Sequence, residues 1–312
     1  MLFMHIVTEI TDRKIPCYFI SPHLDDAILS AGGLISYLAN KTDVHILTVF
    51  TEASSPPFTR FCRKFMQVSG YTDAYKFFRD RRNEDQKVFR TLHAKCKHLG
   101  FVDAAWRKKS GPRKARKFLG QFLPEVLYLY PRNRNFRSGR IVKEDWKLML
   151  EIENALKNYV PSTQDKVVFA PLAIGNHVDH VIVRDVCAKM YKQAVFWSDF
   201  PYNQGKNTSQ EFIEAPTTLQ SRNLKMPFVG AEIRRSGSTL YIPRPNDRGI
   251  PRRRIKNSGL DFFRWDKNLK QKKNLILGYK TQIPTLFPNK TELKIVPELY
   301  YFKPTPGVSS PR

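Results

Sequence analysis

Two short apolar runs, far apart in the chain, each break into a loop crowded with His and Asp and then into a helix-forming stretch. Residues 15–20 (IPCYFI) lead into SPHLDD and then AILSAGGLISYLAN, where Ile28, Leu29, Leu34, Ile35 and Leu38 recur at helical spacing. Residues 167–173 (VVFAPLA) lead into IGNHVDH and a helical pattern over about 181–192. Apolar runs of this length fit strands buried on both faces. Residues 44–50 (VHILTVF) complete the first unit as strand–loop–helix–strand. Strands alternating with helices imply a mostly parallel sheet with right-handed crossovers. Loops that leave the carboxyl ends of such strands gather at one edge, where ligands bind. The fold class expected is therefore α/β, with helices flanking the sheet and the two acid-rich loops meeting in space.

The rest of the chain is read in the same way. Helices are expected over 77–97, 144–159 and 268–282, the last stopped by Pro284, and strands over 97–102, 194–197 and 293–302. Residues 103–140 carry RKKSGPRKARK and PRNRNFRSGR and exceed an ordinary connection, so they form a functional loop or a partly disordered one. Residues 204–267 are rich in Pro, Asn, Arg and Ser, contain Arg252-Arg253-Arg254, and read as an insertion or cap. The reading is one domain over 13–303 with a frayed tail at 304–312.

The loops offer His23, Asp25 and Asp26 on one side and His177, Asp179 and His180 on the other, so three of the seven histidines lie in them. A catalytic zinc takes three protein ligands from His and carboxylate and keeps one position open for water. Two His and one Asp make such a set; a remaining carboxylate can take a water proton, and a remaining His can donate one or stabilise an oxyanion. The bland alternatives are that Asp25 or Asp26 caps a helix and that H-x-x-H is two surface histidines. Both would have to hold at once, each at a strand-to-helix junction, for the pair to mean nothing.

PHLDD followed by AGG, and the later PLAIGNHVDH, resemble the two signature loops of the PIG-L/LmbE-type zinc-dependent N-acetylglucosamine deacetylases. Arg81-Arg82-Asn83-Glu84-Asp85 is similar to the family's R-x-x-E helix, Asp199-Phe200-Pro201-Tyr202 to its D-x-P-Y turn, and the segment from Lys273 to Gln282 to its late K…Y-x-S-Q helix, with Thr281 for Ser. The resemblance implies a Rossmann-like (LmbE-like) fold and metal-dependent hydrolysis of an N-acetyl group on an amino sugar or glycoconjugate. Carried over, it implies that His23, Asp26 and His180 ligate zinc (Fe2+ being the other metal such a set accepts). It makes Asp25 the general base, His177 the general acid or oxyanion stabiliser, and Asp179 the group that orients a histidine. Arg81 would face the substrate. Two departures stand out: Ala27 follows the Asp pair where many members have Glu, and Asn176 stands where many have Gly.

Composition bounds the partners. The net charge of +25 predicts attraction to polyanions. Basic loops around a pocket mouth would favour an anionic or phosphorylated glycoside. The charge is also the whole support for a competing reading, a nucleic-acid- or polyanion-binding protein on this fold, since no helix-turn-helix, zinc-finger or RNP-like signature is present. A third reading keeps the metal and changes the substrate to a non-sugar N-acyl small molecule. Cys17, Cys62, Cys96 and Cys187 form no C-x-x-C pair or disulfide framework. No basic, long-apolar leader opens the sequence, and no apolar run approaches the ~20 residues of a membrane span. A cytoplasmic location is therefore expected. Between Phe58 and Phe78 the aromatic residues are expected mainly to pack the core, with sugar stacking as the other role.

Overall fold

The computed structural model describes residues 2–111, 114–162, 165–204, 224–225, 259–287 and 293–302. In chain order it forms α1 (Leu2–Asp12), β1 (Cys17–Ser21), α2 (Asp26–Leu38), β2 (Val44–Glu52), α3 (Arg60–Val68), α4 (Ala74–Thr91) and β3 (Lys95–Val102). Then come α5 (Lys114–Phe122), α6 (Asn133–Phe136), α7 (Asp145–Tyr159), β4 (Val167–Pro171), α8 (Val178–Met190) and β5 (Val195–Trp197). Last are β6 (Leu224–Lys225), β7 (Gly259–Trp265), α9 (Leu269–Ile276), α10 (Ile283–Leu286) and β8 (Glu298–Phe302). The sheet runs β3-β2-β1-β4-β5-β8-β7-β6. Its first five strands are parallel, and β8, β7 and β6 are added antiparallel.

Strand alternation splits the core into two layers. Tyr18 and Ile20 of β1 join Leu47, Val49, Val168, Ala170 and Phe196 on one face, under α3, α7 and α8. Cys17 and Phe19 join Ile46, Phe169, Val195 and Trp197 on the other, under α2 and α9. Both faces are covered, which is why these strands read as continuous apolar runs rather than alternating ones. The chain runs outward from β1 through β2 to β3, then returns to β4 and runs the other way to β5. The order therefore reverses between β1 and β4, the switch point at which open α/β sheets bind ligands.

Several boundaries differ from the sequence expectation for identifiable reasons. Helix α4 starts earlier, because the Asp73 carboxylate accepts from Lys76 N at 2.6 Å. It ends by Leu92, where His93 turns left-handed at φ 57°. Helix α9 stops at Ile276, and Pro284 opens α10 rather than ending a long helix, in the first-turn position where its missing N–H costs nothing. Residues 103–140 are largely built: α5, α6 and short 3-10 turns occupy them. The N-terminal stretch, unassigned from sequence, forms α1, whose Val7 and Ile10 are buried in the second layer. Of the expected insertion at 204–267, most lies outside the described residues, the Arg252 cluster and residues 205–223 included. The expected tail at 304–312 also lies outside them.

The two glycines after the first loop have a packing reason. A Cβ on Gly33 would sit 2.8 Å from the Lys267 carbonyl and 3.1 Å from a Glu298 oxygen. Glu298 reaches into α2 here and accepts from Gly33 N (2.7 Å) and Leu34 N (3.0 Å), so the helix is braced directly below the loop it supports.

Candidate active site at the switch point

The loop after β1 is held by its own polar groups. Ser21 Oγ donates to His23 O (2.7 Å) and accepts from Ala27 N (3.1 Å), while His23 N donates to Asp26 Oδ2 (2.9 Å). Asp25 occupies the N-cap position of α2 but makes no side-chain capping bond. The capping alternative therefore fails for Asp25, whose carboxyl lines the pocket instead.

The loop after β4 is tight. Ala173, Gly175 and Asn176 take φ of 65°, 89° and 55°, and a Cβ on Gly175 would lie 2.9 Å from the Tyr202 ring. Asn176, the residue that departs from the resemblance, thus holds a left-handed conformation, which Asn tolerates better than most residues other than Gly. The loop delivers His177 to the N-cap of α8, where its Nδ1 accepts from Asp179 N at 3.3 Å. That bond leaves the ring proton on Nε2, so the neutral imidazole is a donor. Burial and the neighbouring His23 and His180 hold His177 well below the usual histidine range.

The two loops meet. Asp26 Oδ2 lies 3.0 Å from His23 Nδ1 and 3.2 Å from His180 Nε2. Each of these rings gives its other nitrogen to a further carboxylate: His23 Nε2 to Asp179 (3.2 Å) and His180 Nδ1 to Asp199 (2.7 Å). A carboxylate behind each imidazole is the arrangement that orients metal-ligating histidines. His180 Nε2 is buried and, despite its closeness to Asp26, forms no hydrogen bond among the described residues. A buried ring nitrogen 3.2 Å from a carboxylate oxygen, yet outside hydrogen-bond geometry, fits a ligand position. The donor set His23–Asp26–His180 therefore suits a divalent ion. Ring nitrogens of His23, His177 and His180 also lie within 4.8 Å of one another, so His177 stands beside that set.

The charges shift as a crowded, dry cluster requires. Burial, reinforced by Asp26, pushes the Asp25 carboxyl up to about 7, against the pull of Arg81 and His23. Burial opposes charge on Asp26 and on His180 alike, yet their attraction wins: Asp26 falls well below the carboxylate range, and His180 is pushed up to about 9 with help from Asp199.

Two further strand ends contribute residues that the motif search passed over. Asp103 follows β3 and lies 3.7 Å from His23 Nε2. Asp199, noticed only as part of a turn, follows β5 and also accepts from Ile174 N at 2.8 Å, tying its loop to that of His177. Arg107, read from sequence as the first of a run of basic residues at the pocket mouth, is buried. It bridges Asp179 and Asp145 (2.9 Å to the latter) and donates to the Val102 carbonyl. That part of the basic-mouth expectation is corrected: this charge neutralises carboxylates inside the protein. The rule that found the first two loops, inspection of the residues after each apolar strand, would have found Asp199 after the buried β5 as well, whereas β3, before Asp103, is not an apolar run.

Arg81 projects from α4 into the same cavity, with its guanidinium over the Phe77 and Phe78 rings, 5.4 and 5.1 Å from their centroids. Its Nε has no hydrogen-bond partner among the described residues. The cavity measures about 520 Å³, and its walls include Phe61, Phe65, Trp106, Phe136 and Tyr202, with Lys64 and Arg137 as further basic groups. Phe61 and Phe65 thus both pack on the core and face the cavity, while Phe77 and Phe78 are core residues.

Residues 18–191 match the family model described as PIG-L, GlcNAc-PI de-N-acetylase. Among curated proteins, the chain is 24% identical over 226 residues to a 2'-N-acetylparomamine deacetylase of Streptomyces fradiae, covering 69% of this chain and 66% of that protein. It is 28% identical over 214 residues to one from Niallia circulans, covering 63% and 70%. The chain thus spans roughly two thirds of the length of these relatives. Among solved structures, a deacetylase of the teicoplanin biosynthesis pathway superposes with a TM-score of 0.61 at 21% identity, covering 92% of this chain and 97% of that one. The zinc-inhibited form of a teicoplanin deacetylase gives 0.60 at 18% identity over the same shares. At these identities the structures establish the shared fold.

Proposed function

This chain belongs to the PIG-L family of de-N-acetylases, and from that premise we propose that it hydrolyses the N-acetyl group of an amino sugar or glycoconjugate with the help of one divalent metal. The observation that carries the reading is the pair of carboxylate-backed histidines, His23 and His180, turned toward Asp26 at the switch point. His23, Asp26 and His180 are the residues assigned to the metal. We assign zinc, with Fe2+ the alternative that the same two-His, one-carboxylate set accepts. Bound there, such an ion supplies Lewis-acid polarisation of the acetyl carbonyl and makes water acidic enough to attack.

The protein's own groups do the rest. Asp25, uncapped and facing the cavity, takes the proton of the attacking water; its raised pKa suits a base operating near neutrality. His177 donates Nε2–H to the oxygen that gains charge as the carbonyl is attacked, and its depressed pKa keeps it neutral before that moment. As the C–N bond breaks, the proton held by Asp25 passes to the departing amine nitrogen, and acetate departs. Asp179 fixes the His23 ring, and Arg107 holds Asp179 in turn. Arg81 meets substrate oxygens, for which a guanidinium without a full set of partners is suited.

Lys64 and Arg137 at the cavity, together with the +25 charge, support an anionic or phosphorylated acceptor on the sugar. The four cysteines are free, which supports a reducing, cytoplasmic setting. Among the described residues no helix is long and apolar enough to cross a membrane. The test is release of acetate and a new primary amine from N-acetylated aminoglycosides and N-acetylglucosamine conjugates. Release from at least one of them, abolished by chelation and restored by metal, is expected; no acetate from any sugar amide with metal bound would overturn the substrate class.

A further inference from the structure

Outside the catalytic cluster, one other group of mixed metal-ligating side chains converges among the described residues: Asp85, Cys96 and His98. Asp85 lies on α4. Cys96 and His98 are two apart on β3, so both side chains leave the same face of that strand. β3 is the edge strand of the sheet, two strands from the switch point between β1 and β4; within the cluster Asp85 is buried, and Cys96 and His98 are half-buried.

The spacing can be compared with what an ion would impose. Zinc bonds of roughly 2.3 Å to sulfur and 2.0–2.2 Å to nitrogen or oxygen, set at tetrahedral angles, put sulfur about 3.6 Å from either neighbour and nitrogen about 3.4 Å from oxygen. Here Cys96 Sγ is 3.5 Å from His98 Nε2 and 3.6 Å from Asp85 Oδ2. The remaining edge, His98 Nε2 to Asp85 Oδ2, is 2.9 Å, the length of a hydrogen bond. Two of three edges thus already match, and the third needs about half an ångström of opening.

The surroundings fit as well. Tyr279 donates to the other oxygen, Asp85 Oδ1, at 2.7 Å, which fixes the carboxylate with Oδ2 toward the cluster. Ligating carboxylates are held in this way. Cys96 is half-buried, whereas Cys17, Cys62 and Cys187 are fully enclosed, so this thiol alone among the four has a short path to solvent. Thiolate with imidazole and carboxylate selects zinc-class ions over magnesium or calcium.

The geometry points to a second metal site, in which Cys96 Sγ, His98 Nε2 and Asp85 Oδ2 bind one zinc-class divalent ion and clamp the edge strand β3 to helix α4. On uptake three metal–ligand bonds form, the thiol proton passes to solvent, the imidazole proton moves to Nδ1, and nothing is oxidised or reduced.

The full chain, stripped of metal and titrated with Co2+, tests this, because only a thiolate-bound cobalt gives a sulfur-to-metal charge-transfer band. Wild type should bind two equivalents and show the band. Cys96→Ser should bind one equivalent without it, and His23→Ala should bind one and keep it. Cys62→Ser, a thiol control, should behave as wild type. His98→Asn, which leaves the thiol in place, should lose at least tenfold in affinity for the band-forming equivalent. Circular dichroism identical to the parent confirms that each variant folds. A wild type without the band, or Cys96→Ser retaining both equivalents, overturns the inference. One equivalent with the band in wild type would leave this site standing and sink the catalytic metal assignment; one without it would do the reverse.

Discussion

Two regions of this protein bury charge, and they do so in opposite ways. Below α2, Lys272 Nζ pairs with Glu298 Oε1 at 3.0 Å, both side chains almost fully enclosed. Glu298 also accepts from Gly33 N, Leu34 N and the Tyr300 hydroxyl, and Lys272 lies over the Phe200 ring. The charges cancel and the lone pairs are used. At the switch point, Asp25, Asp26, Asp103, Asp179 and Asp199 are all buried with Arg81 and Arg107 as the fixed cations. Carboxylates outnumber guanidiniums there, and His23 and His180, whose charged forms the flanking carboxylates favour, make up the deficit while His177 stays neutral. Burial alone is common to both regions. The imbalance distinguishes them, because uncompensated buried anions are costly unless a cation joins them. A balanced buried pair braces the fold, whereas a cluster that depends on titratable histidines for its balance is suited to taking up a cation.

This contrast can be broken by mutation. The largest effect is expected from Asp25→Asn, which should retain metal and fold yet lower turnover roughly 10²–10⁴-fold, the usual contribution of a positioned acid–base group; acetate release per bound metal measures it. Near-normal turnover would remove Asp25 from its role. Next is Lys272→Ala, which strands Glu298 and should cost about 3–5 kcal/mol in denaturant unfolding. Its metal content should not change, so a loss of metal without a loss of stability would show that the two regions are not separate. Smaller still, Gly33→Ala should cost roughly 1–3 kcal/mol by overpacking against the Lys267 carbonyl and Glu298. A neutral result would mean that Glu298 is free to retreat and the brace is loose.

What the sequence revealed follows from the same physics. The switch-point loops were legible because β1 and β4 are buried on both faces and so read as apolar runs, with the chemistry directly after each. The Asp25, Asp26, His23, His177, Asp179 and His180 side chains are indeed brought together. Arg107 was not legible: a buried arginine and a solvated one look alike inside a basic run, and its partners, Asp145 and Asp179, lie 38 and 72 residues away. Asp103 was hidden because β3, an edge strand, alternates exposed and half-buried residues and gives a weak strand signal. The Glu298 brace left only the pair Gly32-Gly33 as a trace, since its partners are brought together by tertiary packing across more than two hundred residues.

The central claim is that His23, Asp26 and His180 form a metal site at the reversal of strand order. Metal content by mass spectrometry, measured on Cys96→Ser so that the edge cluster does not contribute, tests it most directly, with His180→Ala added on that background. The account predicts one zinc or iron per chain in the first and none in the second. Equal metal in both, or none in either after incubation with zinc, would contradict it.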